Sequence, residues 1–243
     1  MTANPLISVA GVSHVLPGGA GPVATLKDVS VALHGGDLTL LTGPSGSGKT
    51  TLLSILGCLR RPTQGEVTVL GRRIDPLAPE ALAALRRSTI GFVFQSYNLF
   101  PTLTARENLH LALDAREWRG EDRAGQVERA LRTVGLQHRA HARPGALSGG
   151  EQQRLAVARA IVSDARIVLA DEPTSALDSS NGRVVMELLA RIAHETRASV
   201  MVVTHDPRIE AQADRIVRIE DGRIVEDARR AGAGRNEPQE PLA

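Results

Sequence analysis

The segment Gly43-Pro44-Ser45-Gly46-Ser47-Gly48-Lys49-Thr50 matches the pattern G-x-x-x-x-G-K-[ST] in full, and Thr51, the next residue, is counted with the same site. Glycines let such a backbone curl until consecutive N–H groups point inward, and the start of a following helix adds positive potential. Lys49 is a compact charge that reaches the β- and γ-phosphates of a nucleotide, where the fork of an arginine would not fit the ring of amides. Thr50 offers a hydroxyl to Mg2+. A second group ends the apolar run Ile167-Val168-Leu169-Ala170 with two carboxylates, Asp171-Glu172. Strand ends of a parallel sheet face the ligand crevice, on the same edge as a phosphate loop. Asp171 therefore reads as a Mg2+ ligand acting through water, and Glu172 as the group that orients or deprotonates an attacking water. Taken alone, the pair would equally suit a solvated turn before Pro173.

A third group is Leu147-Ser148-Gly149-Gly150-Glu151, ahead of a strongly amphipathic stretch. Ser148 suits an N-cap, with Glu151 as its capping-box partner. The same Ser148, Gly149 and Gly150 also leave N–H groups and a hydroxyl at a helix start, which is an anion site. One chain would then hold two anion-binding helix ends, about a hundred residues apart.

These groups need a frame, and the hydrophobic pattern supplies one. Leu6–Val12 and Leu26–Leu33 alternate and read as antiparallel strands joined by the turn-rich Pro17–Pro22. Asp37–Thr42 reads as a buried strand running into the phosphate loop, with a helix over Thr51–Leu59. Further strands are expected at Gly65–Leu70 and Ile90–Phe94, with a helix over Pro79–Arg87 between them. Thr104–Ala115, Glu121–Val134 and Ser148–Val162 have helical spacing. Strands return at Arg166–Ala170, Ser199–Thr204, Arg215–Ile219 and Arg223–Val225, with helices over Asn181–Arg197 and Pro207–Gln212. The expected fold is α/β: a P-loop NTPase core on a mostly parallel sheet, an N-terminal antiparallel β subdomain, and a helical subdomain inserted at about 96–163. One domain spans 1–227, and 228–243, rich in Gly, Pro, Arg and Glu, reads as a disordered tail.

Aromatic residues are 2% of the 243, so the core must be aliphatic. A pI near 9.2 suggests a nucleic-acid binder, yet the net charge is only +2. Of the 29 basic residues only Lys27 and Lys49 are lysines, so almost nothing deprotonates between pH 7 and 9 and a small excess persists. The arginines are dispersed among carboxylates, and no nucleic-acid partner is expected. The single cysteine, Cys58, excludes a disulfide framework and a cysteine-rich zinc site. No apolar run approaches the ~20 residues of a membrane-spanning helix, and no signal pattern opens the chain, so a cytoplasmic protein is expected.

In order, the phosphate loop, Gln95, Leu147–Gln152, Asp171-Glu172, Ser175-Ala176-Leu177-Asp178 and His205 resemble the nucleotide-binding subunit of ABC transporters, over residues 5 to about 227. The resemblance implies an ATPase that uses ATP and Mg2+ in a head-to-tail homodimer. Each nucleotide would lie between the phosphate loop of one copy and Ser148–Gly150 of the other. It assigns Gln95 to Mg2+ or the attacking water, His205 to the γ-phosphate, and Asp178 to a link between the two sites. In the family an aromatic near the first strands stacks on adenine. Here Leu16 stands at that position and His14 two residues before it, and both remain candidates, with ATP or GTP preference open. Thr42–Leu59, Ile90–Asn108 and Ile167–Gly182 resemble the MacB/LolD/DevA-type exporter subgroup. This implies a peripheral place on the cytoplasmic face of the membrane and a permease subunit that touches the chain near Gln95–Leu103, where Tyr97, Leu99 and Phe100 offer an apolar rim. A regulatory cassette of the cell-division type, activating a membrane partner without moving substrate, is the alternative. A soluble DNA-repair or translation cassette fits less well, because the 99 residues from Lys49 to Ser148 leave no room for a long coiled-coil insertion.

Overall fold

The computed structural model describes residues 4–17 and 21–230. In chain order the elements are β1 (Ile7–Leu16), β2 (Val23–Leu33), β3 (Leu38–Thr42), α1 (Lys49–Leu56), β4 (Gln64–Val69), β5 (Arg72–Arg73), α2 (Pro79–Thr89) and β6 (Ile90–Val93). Then come α3 (Ala105–Ala115), α4 (Arg123–Thr133), α5 (Gly149–Ile161), β7 (Ile167–Asp171), α6 (Ser179–Thr196), β8 (Ser199–Val203), the 3₁₀ segment Pro207–Gln212, β9 (Arg215–Glu220) and β10 (Arg223–Arg229).

Two sheets result. The first, in the order β2-β1-β4-β5, is antiparallel throughout. The second, β10-β9-β3-β8-β7-β6, is parallel from β9 to β6, with β10 added antiparallel at its edge. This is the mixed α/β architecture expected of the sequence. The strand near Gly65–Leu70 joins the N-terminal sheet by pairing with β1. Alternation alone could not say which sheet it would enter, because that is decided by a partner strand remote in the chain.

The six-stranded sheet is covered on both faces, and successive residues of one strand feed different cores. Val168 and Ala170 pack with α3, α4, α5 and α6, in a cluster that includes Leu109, Leu131, Val157 and Leu189. Ile167 and Leu169 face the other way, toward α1, α2 and the antiparallel sheet, beside Leu52, Leu56, Leu26 and Val67. Between β6 and β7 the chain has helices and 3₁₀ turns but no strand. Two of those helices begin with a full capping box, Thr104 with Glu107 and Ser148 with Glu151.

Several boundaries differ from the sequence reading. β1 runs on to Leu16, past bulge-like shifts between Val9 and Val15, so His14 and Leu16 are strand residues. α1 starts two residues earlier than expected, at Lys49, which makes Gly48 its N-cap. Residues 228–230, expected in the tail, are held by the sheet instead: Asp227, Ala228 and Arg229 pair with Val217, Ile216 and Arg215, and the Arg230 N–H donates to Asp214 O. Ion pairs hold this strand, Arg215 to Asp227 and Arg229 to Asp37, which composition alone did not disclose. The rest of the expected tail, 231–243, lies outside the described residues, as do 18–20 of the Pro17–Pro22 turn.

Candidate nucleotide site

Strand order decides what meets what. Running along the C-terminal edge of the parallel sheet, β3, β8, β7 and β6 are neighbours. Their ends deliver in turn the phosphate loop after Thr42, His205 after Val203, the Asp171-Glu172 pair, and Gln95 two residues past Val93. Four segments scattered from 42 to 205 are thereby set side by side.

Within the loop, Gly48 takes φ 105° as the N-cap of α1, a conformation open to glycine at little cost. A Cβ on Gly43 would stand 2.0 Å from Ile219 O, so that position admits no side chain. The loop leans on the hairpin between β9 and β10, whose turn residues Asp221 and Gly222 both have positive φ. The Gly222 N–H donates to Ser47 O at 3.0 Å, and Gly222 O accepts from the Lys27 N–H at 2.8 Å. Pro44, Ser45 and Gly46 form the exposed tip, Thr50 is exposed, and Thr51 is half-buried in the first turn of α1. No side chain caps α1 and no acidic residue lies in its first turn. The Ser47 hydroxyl is buried without a partner. The Lys49 ammonium donates to Gly43 O and Pro44 O, both at 2.7 Å, folded over the loop it would share with phosphate.

Burial holds the Asp171 carboxyl above its ordinary pKa, with the charge of Glu172 adding to the rise and that of Lys49 opposing it. Glu172 has φ 48° and is tied by its N–H to Val203 O at 3.0 Å. Its Oε1 meets His205 Nδ1 at 2.8 Å, with the carboxylate largely buried and the imidazole 70% exposed. The carboxylate is thus held by one partner while the imidazole stays open to solvent.

Ser148, Gly149, Gly150 and Asp178 are not hydrogen-bonded to this edge and form a second cluster. The Ser148 hydroxyl accepts from the Glu151 N–H, and the Ser148 N–H donates to Glu151 Oε2. The glycines are there for room as well as for donors: a Cβ on Gly150 would come within 2.5 Å of Asn181 Oδ1. Asp178 caps α6, accepting from the Asn181 N–H, the Asn181 amide and the Ser180 hydroxyl. Those bonds, the Ser180 hydroxyl first, hold its carboxyl well below the usual carboxylate range.

His14 and Leu16, the two candidates beside the base, are separated by burial. His14 is 8% exposed and both its ring nitrogens lack partners, whereas Leu16 is half-exposed at the end of β1. Among residues that the sequence reading passed over, Gly222 had a local signal, since Asp-Gly between two strands marks a hairpin turn. Its bond to the loop had none.

A parallel-sheet edge with a glycine-cradled lysine and a strand-end acid pair is the working edge of a P-loop nucleotide hydrolase. Residues 26–175 match the family model described as ABC transporter, and the chain belongs to that family. It is an ABC ATPase domain. It is 46% identical over 237 residues to "Macrolide export ATP-binding/permease protein MacB 1/2" of Paracoccus denitrificans (strain Pd 1222), covering 98% of this chain and 35% of that protein. It is 42% identical over 222 residues to the MacB protein of Neisseria gonorrhoeae (strain ATCC 700825 / FA 1090), covering 91% of this chain and 34% of that one. The chain therefore spans about a third of the length of these curated relatives. Among solved structures, the dimeric post-hydrolysis state of the ATP-binding cassette MJ0796, bound to ADP and Pi, superposes with a TM-score of 0.82 at 38% identity, covering 92% of this chain and 98% of that chain. The cbiO1 protein of Clostridium perfringens, part of the ABC transporter complex cbiONQ, gives 0.83 at 25% identity, covering 93% and 89%. No described helix is long and apolar enough to cross a membrane.

Proposed function

We propose that this ATPase powers export through a membrane permease, binding on the cytoplasmic face of the membrane and acting as a homodimer closed by two ATP molecules. The observation that carries the catalytic part is the 2.8 Å bond between Glu172 and His205 at the sheet edge that also bears Lys49. Gly43–Thr51 cradles the phosphates, and Lys49 exchanges its bonds to Gly43 O and Pro44 O for phosphate oxygens. Glu172 takes the proton of the attacking water, His205 holds Glu172 on one side and reaches the γ-phosphate, and Gln95 borders the water from the next strand end.

The residues present fit Mg2+. Thr50, Asp171 and Gln95 are hard oxygen donors on one edge, and no cluster of three His, Cys, Asp or Glu suited to a metal occurs among the described residues. That fits an ion bound through one carboxylate plus substrate phosphates rather than by a protein cage. When bound, Mg2+ neutralises charge on the phosphates.

The second cluster, Ser148, Gly149, Gly150 and Asp178, completes the site of the partner copy. Two anion ends on one chain are both used if two copies meet about a two-fold axis. Support comes from the dimeric state of the MJ0796 cassette. Leu16 gives the base an apolar contact, since His14 is buried. The helical segment 96–163 forms a subdomain, and its loop near Gln95–Leu103 receives the permease, where Phe100 is 51% exposed. The relatives named as combined ATP-binding and permease proteins favour export over the regulatory alternative.

The test is Glu172→Gln. Nucleotide affinity should stay within about twofold of wild type, while kcat falls by ~10²–10⁴, the usual contribution of a positioned base. Light scattering should show a dimer under saturating Mg-ATP. Wild-type turnover in the variant would remove Glu172 from this role, and a monomer would remove the shared-site reading.

A further inference from the structure

Two residues past Gln95 the backbone takes an unusual course. Tyr97 and Asn98 lie consecutively in the left-handed region, with φ 60° and 52°. Two adjacent non-glycine residues hold that shape only where surrounding contacts dictate it. Here the contacts come from two helices. Arg159, in the last turn of α5, donates to Tyr97 O at 2.8 Å and also to Asn98 O. Asn108 of α3, 1% exposed, accepts from the Phe100 N–H at 2.9 Å and donates to Phe100 O, Leu103 O and Thr104 O at 3.0–3.2 Å.

Arg159 has no carboxylate partner among the described residues, and burial lowers its pKa. A half-buried guanidinium is spent here on two carbonyls, and its rigid planar fork fixes the relative placement of the two acceptors more tightly than a flexible ammonium would. The loop touches α5 at its other end as well. A Cβ on Gly149 would lie 3.2 Å from the Tyr97 hydroxyl, so the phenol rests over the first turn of α5, next to Ser148. The loop thus meets α5 near both ends of the helix, bonded through its carbonyls to Arg159 and packed through its ring against Gly149.

We infer that Arg159 is a positioning residue that makes the 97–100 loop one body with α5, so that displacement of the exposed Phe100 rim is carried to the Ser148–Gly150 end. The inference rests on the homodimer reading for its consequence but not for its geometry. Force applied at the rim moves the carbonyls of Tyr97 and Asn98, these pull the guanidinium, and the helix follows as a rod. Gln95, two residues upstream, shifts with the same loop. Occupancy of the anion end of α5 and the position of the rim are then coupled in both directions.

The test uses the full chain carrying Glu172→Gln, with Arg159→Gln and Arg159→Lys added separately. Three quantities are measured: the Mg-ATP concentration giving half dimer, the affinity for ADP by calorimetry, and hydrogen exchange of the 97–103 amides without nucleotide. Arg159→Gln should raise the half-dimer concentration about tenfold, within the usual range of coupling between sites. ADP affinity should stay within about twofold, and exchange at 97–103 should quicken. Arg159→Lys, which keeps the charge on a shorter side chain without the rigid fork, should fall between. An unchanged half-dimer concentration, or a fall in ADP affinity in step with it, would overturn the assignment. If Arg159→Gln does not fold, Arg159→Lys decides by the same outcomes. If the parent variant itself stays monomeric, the homodimer reading fails, and unaltered exchange at 97–103 would then still refute the clasp.

Discussion

Two helix starts in this molecule follow the same electrostatics and end in opposite states. α1 begins at a left-handed glycine, with no side-chain cap and no acid in its first turn. Its lysine, Lys49, of opposite sign to phosphate, is bonded to the loop's own carbonyls and free to exchange them. α5 begins with both members of a capping box in place, and Arg139 pairs with Glu151 at 3.3 Å. The Ser148 N–H bond, together with the Ser148 hydroxyl and Arg139, holds the Glu151 carboxyl below its ordinary range. The first end is left unfinished by the chain and must be completed by a ligand. The second is finished by the chain and can only be added to, through the Ser148 O–H and the remaining N–H groups. A helix dipole becomes a strong anion site where the sequence withholds the cap.

The comparison can be broken most readily at Lys49. Lys49→Ala removes a charge-assisted contact of roughly 2–3 kcal/mol, so nucleotide affinity by calorimetry should fall by about 30- to 150-fold, with the melting temperature little changed. Equal affinity would mean that the bare helix end suffices. Ser148→Ala probes the finished end. It should cost about 1 kcal/mol in urea unfolding, the usual value of an N-cap, and leave ADP affinity of the single chain untouched. Loss of ADP affinity would show that the two ends act on one nucleotide within one chain. The smallest effect is expected at Asp178, a cap like Ser148 but ionised. Its pKa is depressed in the folded state, so its stabilisation is complete above the ordinary carboxylate pKa of about 3.9 and is lost as the pH falls through the lower folded value. Asp178→Asn keeps the cap and removes the titration, so unfolding curves of variant and wild type should converge as the solution is acidified below that point. Parallel curves at every pH would refute the assignment.

The reach of the sequence follows the distance over which each feature is decided. The phosphate loop, the acid pair and the Ser148 box are local: the residues that define them are neighbours in the chain, and their hydrogen bonds close within a turn or two. Parallel order was legible too, from helices alternating with aliphatic strands. What stayed hidden depends on remote partners. β4 enters the N-terminal sheet through a pairing with β1 across about fifty to sixty residues, β10 is extended by Arg215 and Asp227, and His14 is buried by the register of β1 on β2. The clasp of Arg159 on Tyr97 and Asn98 spans about sixty residues and uses only backbone acceptors, which carry no residue signature.

The hairpin turn at Asp221-Gly222 has a consequence for the order in which the molecule becomes competent. Ser47 and Gly43 rest on Gly222 and Ile219, which are synthesised about 175 residues after the loop they support. A nascent chain that already displays the whole glycine-rich motif still lacks the brace that fixes its curl. Triphosphate capture during synthesis must therefore wait for β9 and β10, and a product cut short before residue 219 would carry an intact motif without its brace.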